Sequence, residues 1–224
     1  MFNKNIYLSN QNDKIFISLG NYCLTSMLLK ENKLKYESYP FDWMVSCIDN
    51  INDCINNNFN NFLNKKNYIN IDNKTKNIKY FSNTNKLFGN LKMDHQHHNL
   101  LEENDYNYLY RCVERFNKLN ENKKDLIFIM IQPLYLNINI FNEEENKEKI
   151  INLYNNLYNK FNKNNIKLII FIIKNKNNKI FKEEIINSHL KIIELDTEMI
   201  VGNYGMMYFD KNGIKKFLQI IQNF

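Results

Sequence analysis

Lys14-Ile15-Phe16-Ile17-Ser18-Leu19-Gly20-Asn21-Tyr22-Cys23 changes its period halfway along. The opening residues form an apolar run short enough for a strand, a glycine interrupts it, and from Tyr22 to Leu34 apolar residues recur at helical spacing. A strand that turns through glycine into a helix opens a βα unit. Working outward, apolar runs return at Asp125 to Ile131, Ile166 to Ile173 and Leu190 to Leu195, nearly continuous in Ile, Leu and Phe. Strands covered on both faces read this way. Helical patterns fill the intervals at Val45 to Leu63, Glu103 to Leu119, Glu144 to Phe161, a short one near Phe181 to Ile186, and Lys211 to Ile221. The alternation predicts an α/β fold, a single domain over 1–224 whose mostly parallel sheet of about four or five strands is flanked by helices. Around residues 64–100 the pattern weakens. Tyr68 to Asp72 and Ile78 to Phe81 alternate with Asn and Lys, which predicts short edge strands or a hairpin within a small insertion.

Composition narrows the function classes. The net charge is +6, from 30 Lys and Arg against 24 Asp and Glu, but the lysines are scattered and only Arg111 and Arg115 are arginine. Scattered lysines describe a solvated surface, so no nucleic-acid partner is expected. The longest apolar runs fall well short of the roughly 18 residues of a span, and Met1-Phe-Asn-Lys-Asn-Ile6 carries no extended apolar leader. Neither a membrane partner nor secretion is expected, and the protein reads as cytoplasmic. Roughly a fifth of the chain is asparagine, set among Ile, Phe and Leu at helical spacing, which favours solvated helix faces and loops.

The four cysteines, Cys23, Cys47, Cys54 and Cys112, show no C-x-x-C pair. Cys47 and Cys54 lie two helical turns apart on one face, a pattern of packing. Cys23 differs because it opens a helix, where unpaired N–H groups and the positive dipole end favour an anion. Its thiol is therefore expected to ionise below the ordinary value of about 8.5.

Three further stretches carry polar groups suited to chemistry. Ser38-Tyr39-Pro40-Phe41-Asp42-Trp43 holds the only tryptophan and sets Asp42 among aromatic rings, where a carboxylate needs a cation or hydrogen bonds unless it caps the following helix. Met93-Asp94-His95-Gln96-His97-His98 holds three of the four histidines. A zinc site would need a third ligand at a familiar spacing, which is lacking, so neither metal nor cofactor is expected. One imidazole suffices as a base for a cysteine. Arg111 and Arg115, four apart on a helical pattern, could clamp a carboxylate or phosphate.

Taken in order, Ile17 to Cys23, Ser38 to Trp43, Phe88-Gly89 with His97-His98, and Arg111 with Glu114-Arg115-Phe116 resemble a family of unknown function described as papain-like cysteine peptidases. The resemblance covers roughly the first 130 residues, and Ser-Leu-Gly-x-x-Cys followed by Pro-Phe-Asp-Trp is its most specific part. Such proteins occur in bacteria and large DNA viruses, and the residue bias would suit a viral or protist source. The resemblance implies Cys23 as nucleophile, His98 or His97 as general base, and Asp42 as orienting acid.

The expected function is a cysteine-dependent hydrolase of peptidase or acyl-transferase type, with Gly20, Asn21, Trp43, Arg111 and Arg115 contacting a peptide, glycan or small-molecule substrate. The alternative is a glycan-related or nucleotide-sugar-binding protein in which the Gly20 to Cys23 turn holds ligand and the arginines hold phosphate or a sugar acid. Asp196, in a loop after the last expected strand, is an outside candidate for the acid that orients a histidine.

Overall fold

A computed structural model describes residues 13–20, 23–71, 74–77, 94–95, 98–133, 143–162, 165–173, 181–195, 197, 199–201 and 207–224. In chain order its elements are β1 (Lys14–Ser18), α1 (Cys23–Glu31), β2 (Met44–Val45), α2 (Ile48–Asn56), α3 (Asn60–Leu63), β3 (Tyr68–Ile71), β4 (Lys74–Asn77) and β5 (Asp94–His95). They continue with α4 (Glu103–Asn117), β6 (Asp125–Pro133), α5 (Glu143–Phe161), β7 (Ile166–Ile173), β8 (Phe181–Asn187), β9 (Leu190–Leu195), β10 (Met199–Val201), β11 (Met207–Phe209) and α6 (Lys211–Asn223).

The main sheet runs β1-β6-β7-β9-β8, parallel at every pairing except β8 with β9. Its apolar strands are buried on both faces because helices cover each side. Successive side chains point to opposite faces of a strand. Leu126, Phe128 and Met130 of β6 accordingly join the core formed with α2, α4 and α5, while Ile127, Ile129 and Ile131 join the core formed with α1 and α6. The expected α/β fold with a mostly parallel sheet is present. β1 is an edge strand, paired among the described residues with β6 alone.

The insertion contains the expected hairpin, β3 against β4, which widens through β5 and β2 into a four-stranded sheet ordered β2-β5-β4-β3. Its second strand is Lys74–Asn77, ahead of the expected Ile78 to Phe81, which lies outside the described residues.

Two local expectations are corrected. Val45 to Leu63 is not one helix: Asn58 and Phe59 take φ of 52° and 62°, and the Phe59 N–H closes α2 onto the Cys54 carbonyl at 2.7 Å. The break turns the Phe59 ring inward, 5.6 Å from Phe41 and 5.3 Å from Phe116 between centroids. Burying that ring offsets the unfavourable backbone. Phe181 to Ile186 is likewise no helix but the strand β8, because the outer edge of β9 offers it a ladder. Pairing overrides local propensity here, and the charges at Lys182, Glu183 and Glu184 suit an exposed edge.

Candidate active site

The two most specific sequence motifs interlock. Gly20 follows β1 with φ of 79°, and a β-carbon there would lie 2.7 Å from the Phe41 carbonyl oxygen and 2.5 Å from Ser46 Oγ. Only glycine lets the 41–46 loop press this close. The Ser46 hydroxyl donates to the Leu19 carbonyl at 3.2 Å, and the Gly20 N–H donates to Ser18 Oγ at 3.2 Å. Gly20 is therefore buried beneath the loop, and the close approach expected for a ligand is taken by the chain itself.

The same loop carries a buried ion pair. Asp42 is 1 % exposed, and its Oδ2 accepts from Lys35 Nζ and, at 2.7 Å, from the Tyr39 N–H. Lys35 also donates to Ser26 Oγ of α1 at 2.8 Å. Burial pushes the Asp42 carboxyl up and the Lys35 ammonium down, against the attraction each exerts on the other. Asp42 is thus not the cap of α2, a position held by Cys47, and among the described residues its carboxylate is bonded to Lys35 and the Tyr39 N–H and not to His98. It ties the Tyr39 to Trp43 turn to α1, and Phe41 anchors that turn in the aromatic core.

His98 has a different carboxylate. Its Nδ1 lies 3.2 Å from Asp105 Oδ1, in the first turn of α4, while Asp105 Oδ2 accepts the Asn99 N–H at 2.7 Å. Partial burial alone would raise the Asp105 carboxyl, but the Asn99 N–H and the His98 ring hold it below its ordinary value. The imidazole also stacks on Tyr108, 4.5 Å between centroids and tilted by 29°. A ring bonded at Nδ1 and stacked on one face presents Nε2 in a fixed direction, the role a second group plays for a catalytic base. Asp105 is the functional candidate that sequence reasoning missed.

His98 lines a cavity of about 620 Å³ together with Lys30, Lys35, Tyr36, Trp43 and Tyr108. Lys30 Nζ sits 5.9 Å from the centre of the Trp43 ring, a cation–π contact. Cys23 is not among the lining residues. It opens α1, and Lys30, seven residues on, is the α1 residue that reaches the cavity. Seven residues are about two turns, roughly 10 Å along the same helix face.

Of the four thiols, Cys23 is half-buried and the others are buried. Burial pushes the Cys23 thiol above its ordinary value, outweighing a backbone hydrogen bond that lowers it. That is opposite to the direction expected from the helix dipole. Burial pushes Cys47 up to about 12, and Cys112 lies with its Sγ 3.1 Å from Arg115 Nη2.

The arginines do not form a clamp. Arg115 Nε donates to the Ser38 carbonyl at 2.9 Å, tying α4 to the motif loop, whereas Arg111 is exposed. Asn21, His97 and Asp196 lie outside the described residues, as do the side chain of His95 and the stretch holding Phe88 and Gly89. Among the described residues no three His, Cys, Asp or Glu side chains converge to hold a metal ion, and no helix is long and apolar enough to cross a membrane.

The fold and the site define an α/β protein with the most accessible of its thiols at the start of α1 and a carboxylate-held imidazole on a cavity wall. The chain belongs to the family described as "putative papain-like cysteine peptidase", whose model matches residues 14–178. The match extends beyond the N-terminal stretches that carried the resemblance. Neither the curated proteins nor the solved structures yield a match to it.

Proposed function

We propose that the protein is a cysteine-dependent hydrolase or acyl transferase in which Cys23 is the nucleophile, His98 the general base and Asp105 the residue that orients His98. The observation that carries this reading is the His98 imidazole held between Asp105 and Tyr108 on the cavity wall. Because burial disfavours a resting thiolate at Cys23, the reading is general-base catalysis and not a preformed ion pair. His98 Nε2 takes the thiol proton as sulfur bonds to the substrate carbonyl carbon, whose π electrons move to oxygen. Collapse of that adduct expels the leaving group, which receives the proton from His98. Water, deprotonated by the same imidazole, then attacks the thioester, and the acid product departs with Cys23 restored as a thiol. In an acyl transferase another nucleophile takes the place of water.

The nucleotide-sugar alternative loses its two supports, since Gly20 is sealed by its own loop and Arg115 is engaged with Ser38. The test is acylation by p-nitrophenyl acetate. An initial burst of nitrophenol, an acetyl group located on Cys23 by peptide mass spectrometry, and loss of both in Cys23→Ala are expected. Full turnover by a folded Cys23→Ala protein overturns the assignment.

A further inference from the structure

One stripe of α4 touches both sides of the His98 cavity. Asp105, Tyr108, Cys112 and Arg115 follow one another at helical spacing, so they lie on one face of the helix. Toward its N-terminus the stripe holds the imidazole, through the Asp105 carboxylate and the Tyr108 ring. Toward its C-terminus Arg115 Nε donates to the Ser38 carbonyl at 2.9 Å, and Ser38 lines the cavity together with Tyr36, Glu37 and Trp43 of the motif loop. The guanidinium is also held from its own helix, because Nη2 donates to the Cys112 Sγ at 3.1 Å, one turn back. Bonding at two nitrogens fixes the direction of the fork, which a lysine ammonium cannot reproduce. Cys112 is buried and has no part in the reaction proposed above, and this contact gives its thiol a use.

The loop has two ties. Asp42 and Lys35 fasten one end of it to α1, and Arg115 fastens the other to α4. The Arg115 tie is the one that shares a helix with both contacts on His98. Where the two sides converge, Trp43 and Met44 meet His98, Tyr108 and Leu109 around a recess of about 10 Å³, space for roughly one water molecule. So narrow a gap leaves little slack between the Trp43 ring and the imidazole.

We propose that Arg115 is a positioning residue, which fixes the distance between the loop that bears Trp43 and the His98 imidazole, with Cys112 orienting its guanidinium. The consequence for catalysis rests on the function proposed above; the fixed distance does not. A substrate seated against the loop then meets its base at a set separation, and a misplacement of about 1 Å can cost about a hundredfold in rate. Removing Arg115 should therefore slow the chemical step more than it weakens binding.

The test compares the whole parent chain with Arg115→Ala, Arg115→Lys and Val113→Ala. Val113 is buried on the same helix but outside the stripe, so its truncation loosens the packing of α4 and leaves both ties in place. Each protein is mixed with p-nitrophenyl acetate, and the nitrophenol burst is resolved into an amplitude, which counts folded sites, and a rate constant, which reports on their geometry. Arg115→Ala is expected to lower the rate constant at saturating ester by about tenfold or more, while the half-saturating concentration changes by about twofold at most. Arg115→Lys should fall in the same direction, and it carries the comparison if Arg115→Ala has no folded fraction. Val113→Ala should keep the parent's rate constant. Trp43, the only tryptophan, gives a reading free of the chemistry: acrylamide should quench it more strongly in the Arg115 variants than in the parent or Val113→Ala. A parental rate constant in a folded Arg115 variant, equal slowing in Val113→Ala, or unchanged quenching of Trp43 overturns the proposal. A parent without a burst overturns the nucleophile assignment instead, and the quenching of Trp43 then decides whether Arg115 sets the distance.

Discussion

Replacing Asp42 by asparagine keeps the shape of the side chain and removes the charge that Lys35 was buried to meet. The Lys35 and Asp42 side chains are 5 % and 1 % exposed, so neither can turn to water when its partner is lost. Breaking one side of a buried pair costs about 3–5 kcal/mol, because the remaining charge must be neutralised or left uncompensated. The amide oxygen of the substituted side chain can still accept the Tyr39 N–H, so the loss is assigned to Lys35. At roughly 2–4 °C per kcal/mol for a chain of this size, Asp42→Asn should lower Tm by about 6–20 °C. Replacing both partners with apolar residues, Lys35→Met with Asp42→Leu, should recover most of that loss, since a dry pair repays its own desolvation poorly. Urea titrations followed by circular dichroism and by Trp43 emission would measure both variants. An Asp42→Asn protein within about 1 kcal/mol of the parent, or a double variant as unstable as the single one, would refute the view of Asp42 as the tie between the motif loop and α1.

Gly20→Ala should cost about 2–5 kcal/mol in a urea titration, combining the left-handed backbone penalty with forced movement of the Phe41 carbonyl and Ser46; a neutral effect would show that the loop yields freely. Arg115→Ala should lose about 1.5–3 kcal/mol with its bond to the Ser38 carbonyl, while Arg111→Ala stays within about 0.5 kcal/mol. Equal thermal melts for those two would contradict the structural role of Arg115. The Asp105 carboxyl is held low in the folded state, so its contribution to stability is present above the unfolded value of about 3.9 and is lost as pH falls through the folded value. Stability measured from about pH 5 to pH 2 should therefore fall less steeply in Asp105→Asn than in the parent.

The layered fold was legible because its strands are apolar on both faces and its helices on one. β1, β6, β7 and β9 coincide closely with the apolar runs, and α4, α5 and α6 with the helical periods. β8 was not legible, since Phe181-Lys-Glu-Glu-Ile-Ile is a strand only through the open edge of β9. The sequence showed that Asp42 needed a cation or hydrogen bonds. It did not show which lysine answers, because the many lysines are chemically alike until the fold buries one. His98 and Asp105 meet because α4 begins between them and an acidic residue in its first turn reaches back to the preceding loop. That reach resembles the carboxylate half of a capping box, and the Asn99-to-Asp105 spacing is the signal that could have revealed it. The helix-start argument for a low Cys23 pKa failed because burial of the thiol outweighs the local hydrogen bond.

The most direct test of the pairing between Cys23 and His98 is alkylation by iodoacetamide across pH, with each cysteine read separately by peptide mass spectrometry. At pH 7 Cys23 should react well ahead of Cys47, Cys54 and Cys112, and His98→Ala should slow it by at least tenfold, at the low end of what a positioned base contributes. A Cys23 rate unchanged by His98→Ala, with a pH profile parallel to the buried thiols, would contradict the pairing.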